Sequence, residues 1–380
     1  MPHLIISTVG TSLLTNFAAR HLGGEAVILL RDTANYRERE LTVEKRNDID
    51  TIATKVKVQL KSAAIEELRR LSAELNGIYT YYGQEVYSSG HLKADHHVLI
   101  ATDTYQALQT ARLVDDQLRR TGFNSIEIMA PQGLSARDCG SFTNGVNEIV
   151  RWCELTLPGY RQQQYHIVFN LIGGFKSLQG YMNTLGMFYA DEIIYIFEAP
   201  SAGLIRIPRL PVVMDEVPVL YEKAVLFALI ENGYLAGSDE VKGVPEIYLY
   251  YDHEERCTLS TWGLLIWERN KRNILGGDQL FHFPALVYEK SFEKDFQSIT
   301  DKDRRANIQN TLAKVSLLFQ EQGLAGLRRH GGLEYENYKG LPKEGLGHFR
   351  LDRGWRVSCV PDGQVLRLRH VGLHDVNENP

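Results

Sequence analysis

The chain has 380 residues, 44% hydrophobic and 23% charged, which makes it too long for one compact core and too apolar for a disordered or fibrous chain. The formal net charge of −5 counts at first against nucleic acid, but it is uneven: residues 1–282 hold 27 Lys+Arg against 34 Asp+Glu, and residues 283–380 hold 15 against 13. There is no run of 18 apolar residues, no basic n-region at the start, and the four scattered cysteines form neither CxxC pairs nor a disulfide framework, so a cytoplasmic protein without a membrane span is expected.

In chain order, residues 3–8 predict a strand that breaks at Gly10, residues 26–30 a second strand, and residues 97–101 a third. Thr102, Asp103 and Thr104 follow, then a helix with Leu108, Ala111 and Leu118 on one face, ended by Gly122. Residues 125–130, 165–171 and 192–197 predict further strands, with a helix over 176–189 between the last two. Strands spaced by helices of this length imply βαβ units, so residues 1–205 are expected to form a Rossmann-like domain with a mostly parallel sheet.

Pro200, Pro208, Pro211 and Pro218 then cluster and suggest a linker. Helical patterns at 221–235 and 260–269 flank a strand-like 247–251, so residues 206–282 suggest a small winged-helix-like module. Residues 301–322 form a helix by pattern, with Ile308, Leu312, Val315 and Phe319 on one stripe and Gly323 as its cap. Strands at 348–351, 355–360 and 365–368 follow, the last two joined by a turn at 361–363. Alternation in the middle strand buries Trp355, Val357 and Cys359 and leaves Arg356 and Ser358 on the other side. Residues 283–380 are thus expected to be an α+β domain with an antiparallel sheet.

Two loops at strand C-terminal ends can bind a ligand: Ser7 to Leu13, with Gly10, Thr11, Ser12 and Leu13, and Asn170 to Leu178, with Gly173, Gly174, Phe175, Lys176 and Ser177. Paired glycines let backbone approach a phosphate, the helix start supplies free N–H groups, and Lys176 adds a charge. The same glycines also fit a bare βα turn with Lys176 in solvent. Neither GxxxxGK[ST] nor a GxGxxG after a strand is present, which disfavours a P-loop or a dinucleotide cofactor. Near the C-terminus, His348, Arg350, Arg353, Arg356 and His374 lie on or beside consecutive strands. Cleavage of RNA by its own 2′-hydroxyl needs a base, cations for the phosphate charge and an acid, and clustered Arg and His can supply them without a metal. No HExxH or Cys/His cluster occurs, so neither a metal nor another cofactor is expected.

Together the two N-terminal loops resemble the CRISPR-associated Rossmann-like sensor domain, CARF, over roughly residues 1–200. The resemblance implies binding of a cyclic oligoadenylate, with Gly10, Thr11, Ser12, Gly174, Lys176 and Ser177 on phosphates and riboses. Thr102, Asp103, Gln132 and Gly133 on neighbouring loops would then contact adenine. Two-fold symmetry of cyclic tetra-adenylate suits a homodimer.

The last part, a long helix followed by Phe-Arg-Leu-Asp-Arg-Gly-Trp-Arg-Val, a hairpin and Val371-Gly372-Leu373-His374, resembles the RelE toxin superfamily over about residues 285–376. This implies cutting of messenger RNA on the ribosome. Arg356 would be the phosphate-stabilising arginine, His348 and Arg350 the basic pair, and His374 the replacement for a final arginine. The tyrosine that often closes the family's site is missing after His374. The resemblance as a whole is to a CARF–RelE fusion, a CRISPR-associated mRNA interferase with the ribosome and its mRNA as partners. The alternative is a ligand-controlled winged-helix DNA-binding regulator, for which Glu268, Arg269, Lys271 and Arg272 near Trp267 form a short charged, mainly basic cluster.

Overall fold

The computed structural model describes residues 1–83, 86, 92–135, 138–196, 203–211, 218–338 and 345–373. His374, Phe197 and Pro200 lie outside these residues, as does the end of the chain at 375–380. Contacts divide the chain into two compact units, residues 1–214 and 215–380.

The first unit is built on a six-stranded sheet. Its elements run β1 (His3–Val9), α1 (Ser12–His21), α2 (Gly24–Thr33), α3 (Val43–Ser62), α4 (Ile65–Leu71), α5 (Ala73–Tyr82), β2 (His96–Ala101), α6 (Tyr105–Thr121), β3 (Ser125–Met129), α7 (Cys139–Gln162), β4 (His166–Asn170), α8 (Lys176–Tyr189), β5 (Glu192–Ile196) and β6 (Leu204–Pro208). The strand order is β3-β2-β1-β4-β5-β6, with every pair parallel except β5–β6. Beyond their first residues β1, β2 and β4 are buried without alternation, as strands covered on both faces must be. The order reverses between β1 and β4, so the loops leaving these two strands open side by side on a crevice.

Residues 26–30 are not a strand but the middle of helix α2. A five-residue apolar run cannot by itself separate the two conformations. Both edges of β1 are already filled by β2 and β4, and within the run only Leu30 is fully buried while Ile28 stands half-exposed. Strand β6 was not expected. It pairs antiparallel at the sheet edge and ends on Pro208, a residue that sheets accept only where no ladder hydrogen bond is needed.

The second unit runs α9 (Pro218–Glu222), α10 (Ala224–Glu231), β7 (Leu249–Tyr251), β8 (Cys257–Leu259), α11 (Thr261–Leu275), β9 (Leu286–Tyr288), α12 (Lys290–Ser298), α13 (Lys302–Arg329), β10 (Glu336–Asn337), β11 (Gly347–Arg350), β12 (Trp355–Asp362) and β13 (Val365–Leu373). β7 and β8 form a two-stranded hairpin between helices, and α10 and α11 pack on α13. The part expected as a middle module therefore shares one compact unit with the C-terminal sheet. Gln309 on α13 reinforces this packing by donating to the Leu275 and Gln279 carbonyls at 2.6 and 3.0 Å.

The C-terminal sheet has the order β10-β11-β12-β13-β9, antiparallel apart from β13–β9. Its strands β9 and β10, two or three residues each, are too short to carry a readable period. Helix α13 buries the expected stripe of Ile308, Leu312, Val315 and Phe319. Gly323 breaks it with φ 57° and ψ −151°, but the helix resumes and ends at Arg329 rather than at 322. Pro361 and Asp362 belong to β12, so the tight turn is only Gly363-Gln364. The β12–β13 register slips between Ser358 and Cys359, whose partners are His370 and Leu368, leaving Arg369 as the extra residue of a bulge. Ser358 keeps to the side expected for it but is fully buried there, its hydroxyl accepting the His370 N–H at 3.1 Å beside the bulge.

Phe349 on β11 is fully buried on the side of the sheet carrying Val357 and Val371. Phe349→Ala should cost about 3–5 kcal/mol of stability, read as a lower midpoint of the C-terminal unit's transition in denaturant titrations.

Candidate functional site

The first candidate site is the pair of loops at the β1/β4 crevice. Thr8 at the end of β1 donates its hydroxyl to the Gly173 carbonyl at 2.6 Å, and Gln179 on α8 donates to the Leu171 and Gly173 carbonyls at 3.0 and 3.2 Å. Backbone packs directly on backbone here: a Cβ on Gly10 would lie 3.1 Å from the Gly174 nitrogen, and one on Gly174 would lie 2.9 Å from the Thr8 Cβ. Gly174 also has φ +88°, a conformation that favours glycine.

Beneath both loops lies Glu74, contributed by α5, which crosses under the sheet ends and touches β1, β4, β5 and β6. Its carboxylate is fully buried and accepts the Gly10 N–H at 2.9 Å, the Ser72 hydroxyl at 2.7 Å and the Ser12 hydroxyl at 3.4 Å. Burial raises its pKa above the ordinary 4.5, against the lowering effect of these donors. A Cβ on Gly173 would collide with this carboxylate, so the second glycine loop rests on it as well. Gly10 and Ser12 therefore spend a donor each on Glu74. Leu13 is fully buried in the core and supports the loop from below.

The crevice side is formed by other groups. Lys176 and Ser177 open α8 and are exposed, and Phe175 precedes them in extended backbone without a side-chain cap, so the first N–H groups of α8 remain open. Lys176 has no ion-pair partner among the described residues. Phe142 on α7 packs edge-on against Phe175 and Tyr181, with ring centroids 5.5 and 5.8 Å apart.

Asp103 joins the next two loops. It accepts the Gly133 N–H at 2.8 Å, pairs with Arg37 at 2.8 Å, and its own N–H donates to the Leu134 carbonyl at 3.2 Å. Thr102 bonds the Thr104 hydroxyl at 2.9 Å. Gln132 and Gly133 line a polar cavity of about 390 Å³ with Arg37, Ser141, Asn144 and Arg151. Sequence reading missed Glu74, Arg37 and Arg151. No motif marks them, and their positions depend on how helices far apart in sequence fold back onto the strand ends.

The second candidate site is the open face of the C-terminal sheet. Register sets His348 opposite Ser358 and Arg350 opposite Arg356 across β11–β12, and Arg356 opposite Gly372 and Ser358 opposite His370 across β12–β13. Directly paired residues share a face, so His348, Arg350, Arg356 and His370 stand together on the side away from Phe349, Val357 and Val371. Arg356 has a buried Nε without a hydrogen-bond partner among the described residues. Tyr338 stacks its ring 4.8 Å from His348, and its hydroxyl is pushed up to about 12 by burial, with Arg356 opposing the shift. Arg350 pairs with Glu334. Arg353 is set apart, exposed in the turn between β11 and β12. In that turn Asp352 accepts the Gly354 and Trp355 N–H groups at 2.8 and 2.9 Å, and Arg304 lies 4.7 Å over the Trp355 ring.

His370 escaped the sequence reading, as did its partner Asp295 on α12, whose carboxylate lies 2.8 Å from the His370 Nδ1 and accepts the Val371 N–H at 3.2 Å. The only available signal was a third histidine in the basic C-terminal stretch.

The charged cluster on α11 is consumed internally. Lys271 pairs with Glu231 at 2.5 Å and with the buried Glu268 at 2.8 Å, Arg272 donates to Asp303 at 2.7 Å, and the fully buried Trp267 donates to Glu231 at 2.6 Å.

Residues 69–210 match the model of a family described as CRISPR-associated protein (Cas_APE2256). The match runs from just before Glu74 to the end of β6 and includes the Gly173-Gly174 loop, and it supports a CRISPR-related role for the chain. No curated protein matches the chain. Among the described residues no helix is long and apolar enough to cross a membrane.

The buried Glu74 gives a signed pH dependence. A raised folded-state pKa means that the folded chain holds the proton longer than the unfolded one, so this residue's contribution to stability falls as pH rises above about 4.5. Glu74→Gln keeps an acceptor for Gly10 but removes the titration. The variant's stability relative to the parent protein should therefore rise as the pH of urea titrations is raised from about 4.5. A difference independent of pH would contradict this account.

Proposed function

We propose that this chain is a CRISPR-associated effector in which a cyclic oligoadenylate, cyclic tetra-adenylate by the two-fold argument, switches on RNA cleavage. The N-terminal unit is the sensor and acts as a homodimer. Lys176, Ser177 and the open N–H groups of α8 take the phosphates, while Gly10 and Ser12, tied to Glu74, fix the loop that bounds the site with Thr11. Phe175 and the Gln132 side of the neighbouring cavity are available to adenine, while Asp103 holds the two outer loops together. Support comes from the CRISPR-associated family match over most of this unit.

The C-terminal unit is a RelE-like endoribonuclease that acts on mRNA in the ribosome. The observation that carries this reading is the convergence of Arg350, Arg356 and His348 on one sheet face, with a buried guanidinium nitrogen of Arg356 left without a partner among the described residues. In the reaction the 2′-hydroxyl attacks the neighbouring phosphorus, the bond to the 5′-oxygen breaks, and a 2′,3′-cyclic phosphate and a 5′-hydroxyl result. Charge on the phosphoryl oxygens rises along this path, and a guanidinium held beside them stabilises the transition state more than the ground state. Arg350, neutralised by Glu334, contributes less charge and serves mainly to flank the site. Binding of the oligoadenylate shifts the population of dimer conformations towards the one that acts on ribosomes. The DNA-binding alternative finds less support, because Lys271 and Arg272 are already paired with carboxylates.

The test measures mRNA cutting on translating ribosomes with and without cyclic tetra-adenylate. Cutting should depend on the oligoadenylate, Arg356→Ala should lower its rate by about 10²–10³-fold, and Lys176→Ala should raise the oligoadenylate concentration needed for half activation. Equal cutting with and without the activator would remove the switch, and full activity of Arg356→Ala would remove the site.

A further inference from the structure

We propose that His370, oriented by Asp295, is the group that takes the proton from the attacking 2′-hydroxyl of RNA. The assignment rests on the RNA-cleaving reading of the C-terminal sheet face given above, and it names a proton acceptor that the sequence did not point to.

Three observations carry it. The first is position. His370 faces Ser358 and the next pair on the same face is Arg356 with Gly372, so His370 and Arg356 are diagonal neighbours across β12–β13, a separation that long side chains bridge. Opposite Arg356 stands a glycine, which has no side chain to compete for the space beside the guanidinium. A phosphate on Arg356 would bring the sugar attached to it towards His370.

The second is orientation. Asp295 lies 2.8 Å from Nδ1, so this nitrogen carries the proton and donates it to the carboxylate, leaving the lone pair on Nε2. The same carboxylate oxygen accepts the backbone N–H of Val371 at 3.2 Å, which fixes it against the strand. Nε2 has no protein partner among the described residues, and the side chain keeps about a quarter of its surface accessible. An imidazole with one nitrogen held by a carboxylate and the other open is the arrangement that a general base requires.

The third is the fate of the other candidates. His348 packs on Tyr338 one strand further away, His282 packs on Tyr288 at 4.8 Å, and His330 accepts the Gly332 N–H within its own turn at 3.3 Å. The charged groups around His370 are Asp295 from α12, Arg356 and His348 across β12, and the neighbouring Arg369–Glu289 pair at 3.5 Å.

The 2′-oxygen forms a bond to phosphorus as its proton passes to Nε2, the phosphorus–5′-oxygen bond breaks with its electron pair on the oxygen, and that oxygen takes a proton from water. The imidazolium then returns its proton to solvent.

The full chain, activated by cyclic tetra-adenylate on mRNA-programmed ribosomes, tests this through the pH dependence of the cutting rate. His370→Gln should cut about 10²–10⁴-fold more slowly and lose the acidic limb of the profile. Asp295→Asn, which keeps the side-chain volume but removes the charge, should keep that limb and displace it. Replacing the 5′-oxygen of the cut site by sulfur makes departure easy without acid catalysis, so the deficit of His370→Gln should persist on that substrate. Added imidazole should restore part of the activity of His370→Ala, which also reports that the variant is folded. Cutting by His370→Gln at the parent rate with an unchanged pH profile would overturn the assignment while leaving the Arg356 site standing, and so would full rescue by the sulfur substrate. If the parent protein leaves mRNA intact, the RNA-cleaving reading itself falls and takes this one with it.

Discussion

A carboxylate sealed from water has to be met by donors, and the loops of the β1/β4 crevice are organised around that demand. Glu74 takes the N–H of Gly10 and the hydroxyls of Ser12 and Ser72, and its volume excludes any side chain on Gly173. The loops after β1 and β4 are thus fixed to the same buried group although they lie far apart in the chain, at Gly10 and Gly173. Removing one partner from such a centre leaves a buried polar atom unsatisfied, which costs more than the original bond contributes. The crevice above can then expose Lys176 and the free end of α8 on a rigid base, at little further entropic cost to a ligand.

How much of this could be read from the chain depended on whether the signal was local. Strands β1, β2 and β4 stand out because burial on both faces demands continuous apolar residues, and α8 begins at Lys176 and ends at Tyr189, as its pattern and flanking glycines imply. The stripe on α13 was equally legible. Residues 26–30 were not, since a β-branched apolar run suits either conformation and only the occupied edges of β1 decide it. Strands β6, β9 and β10 take their conformation from the partner they join. In the candidate sites the same division holds: the glycine loops and Arg356 sit in motifs, whereas Glu74, Arg37 and Asp295 owe their places to tertiary packing.

The uneven charge of the chain acquires a structural meaning. Much of the positive charge on α11 and at the start of α13 is neutralised by nearby acids, with Lys271 and Arg272 engaged and Arg304 paired to Asp352. What distinguishes the C-terminal sheet is less its overall charge than the placement of a few cations and imidazoles on one surface. The same principle governs the N-terminal unit, where an acidic body presents one lysine and a helix terminus at a crevice. Local arrangement, not net charge, sets the field at each of these surfaces.

The bulge at Arg369 has a geometric consequence for the whole C-terminal sheet. Side chains along a strand alternate, so Leu366 and Leu368 in the core would be followed by residue 370 on that same side. The extra residue inverts the phase: Val371 turns to the core in place of His370, and His370 and Gly372 turn to the surface that carries Arg356. One strand thereby serves as hydrophobic wall in its first half and carries polar groups to the open surface in its second. Arg369 is thus the one residue of the strand that could be lost without turning any other around: with it deleted, Leu368, His370 and Val371 would alternate in ordinary register and keep the sides they have now.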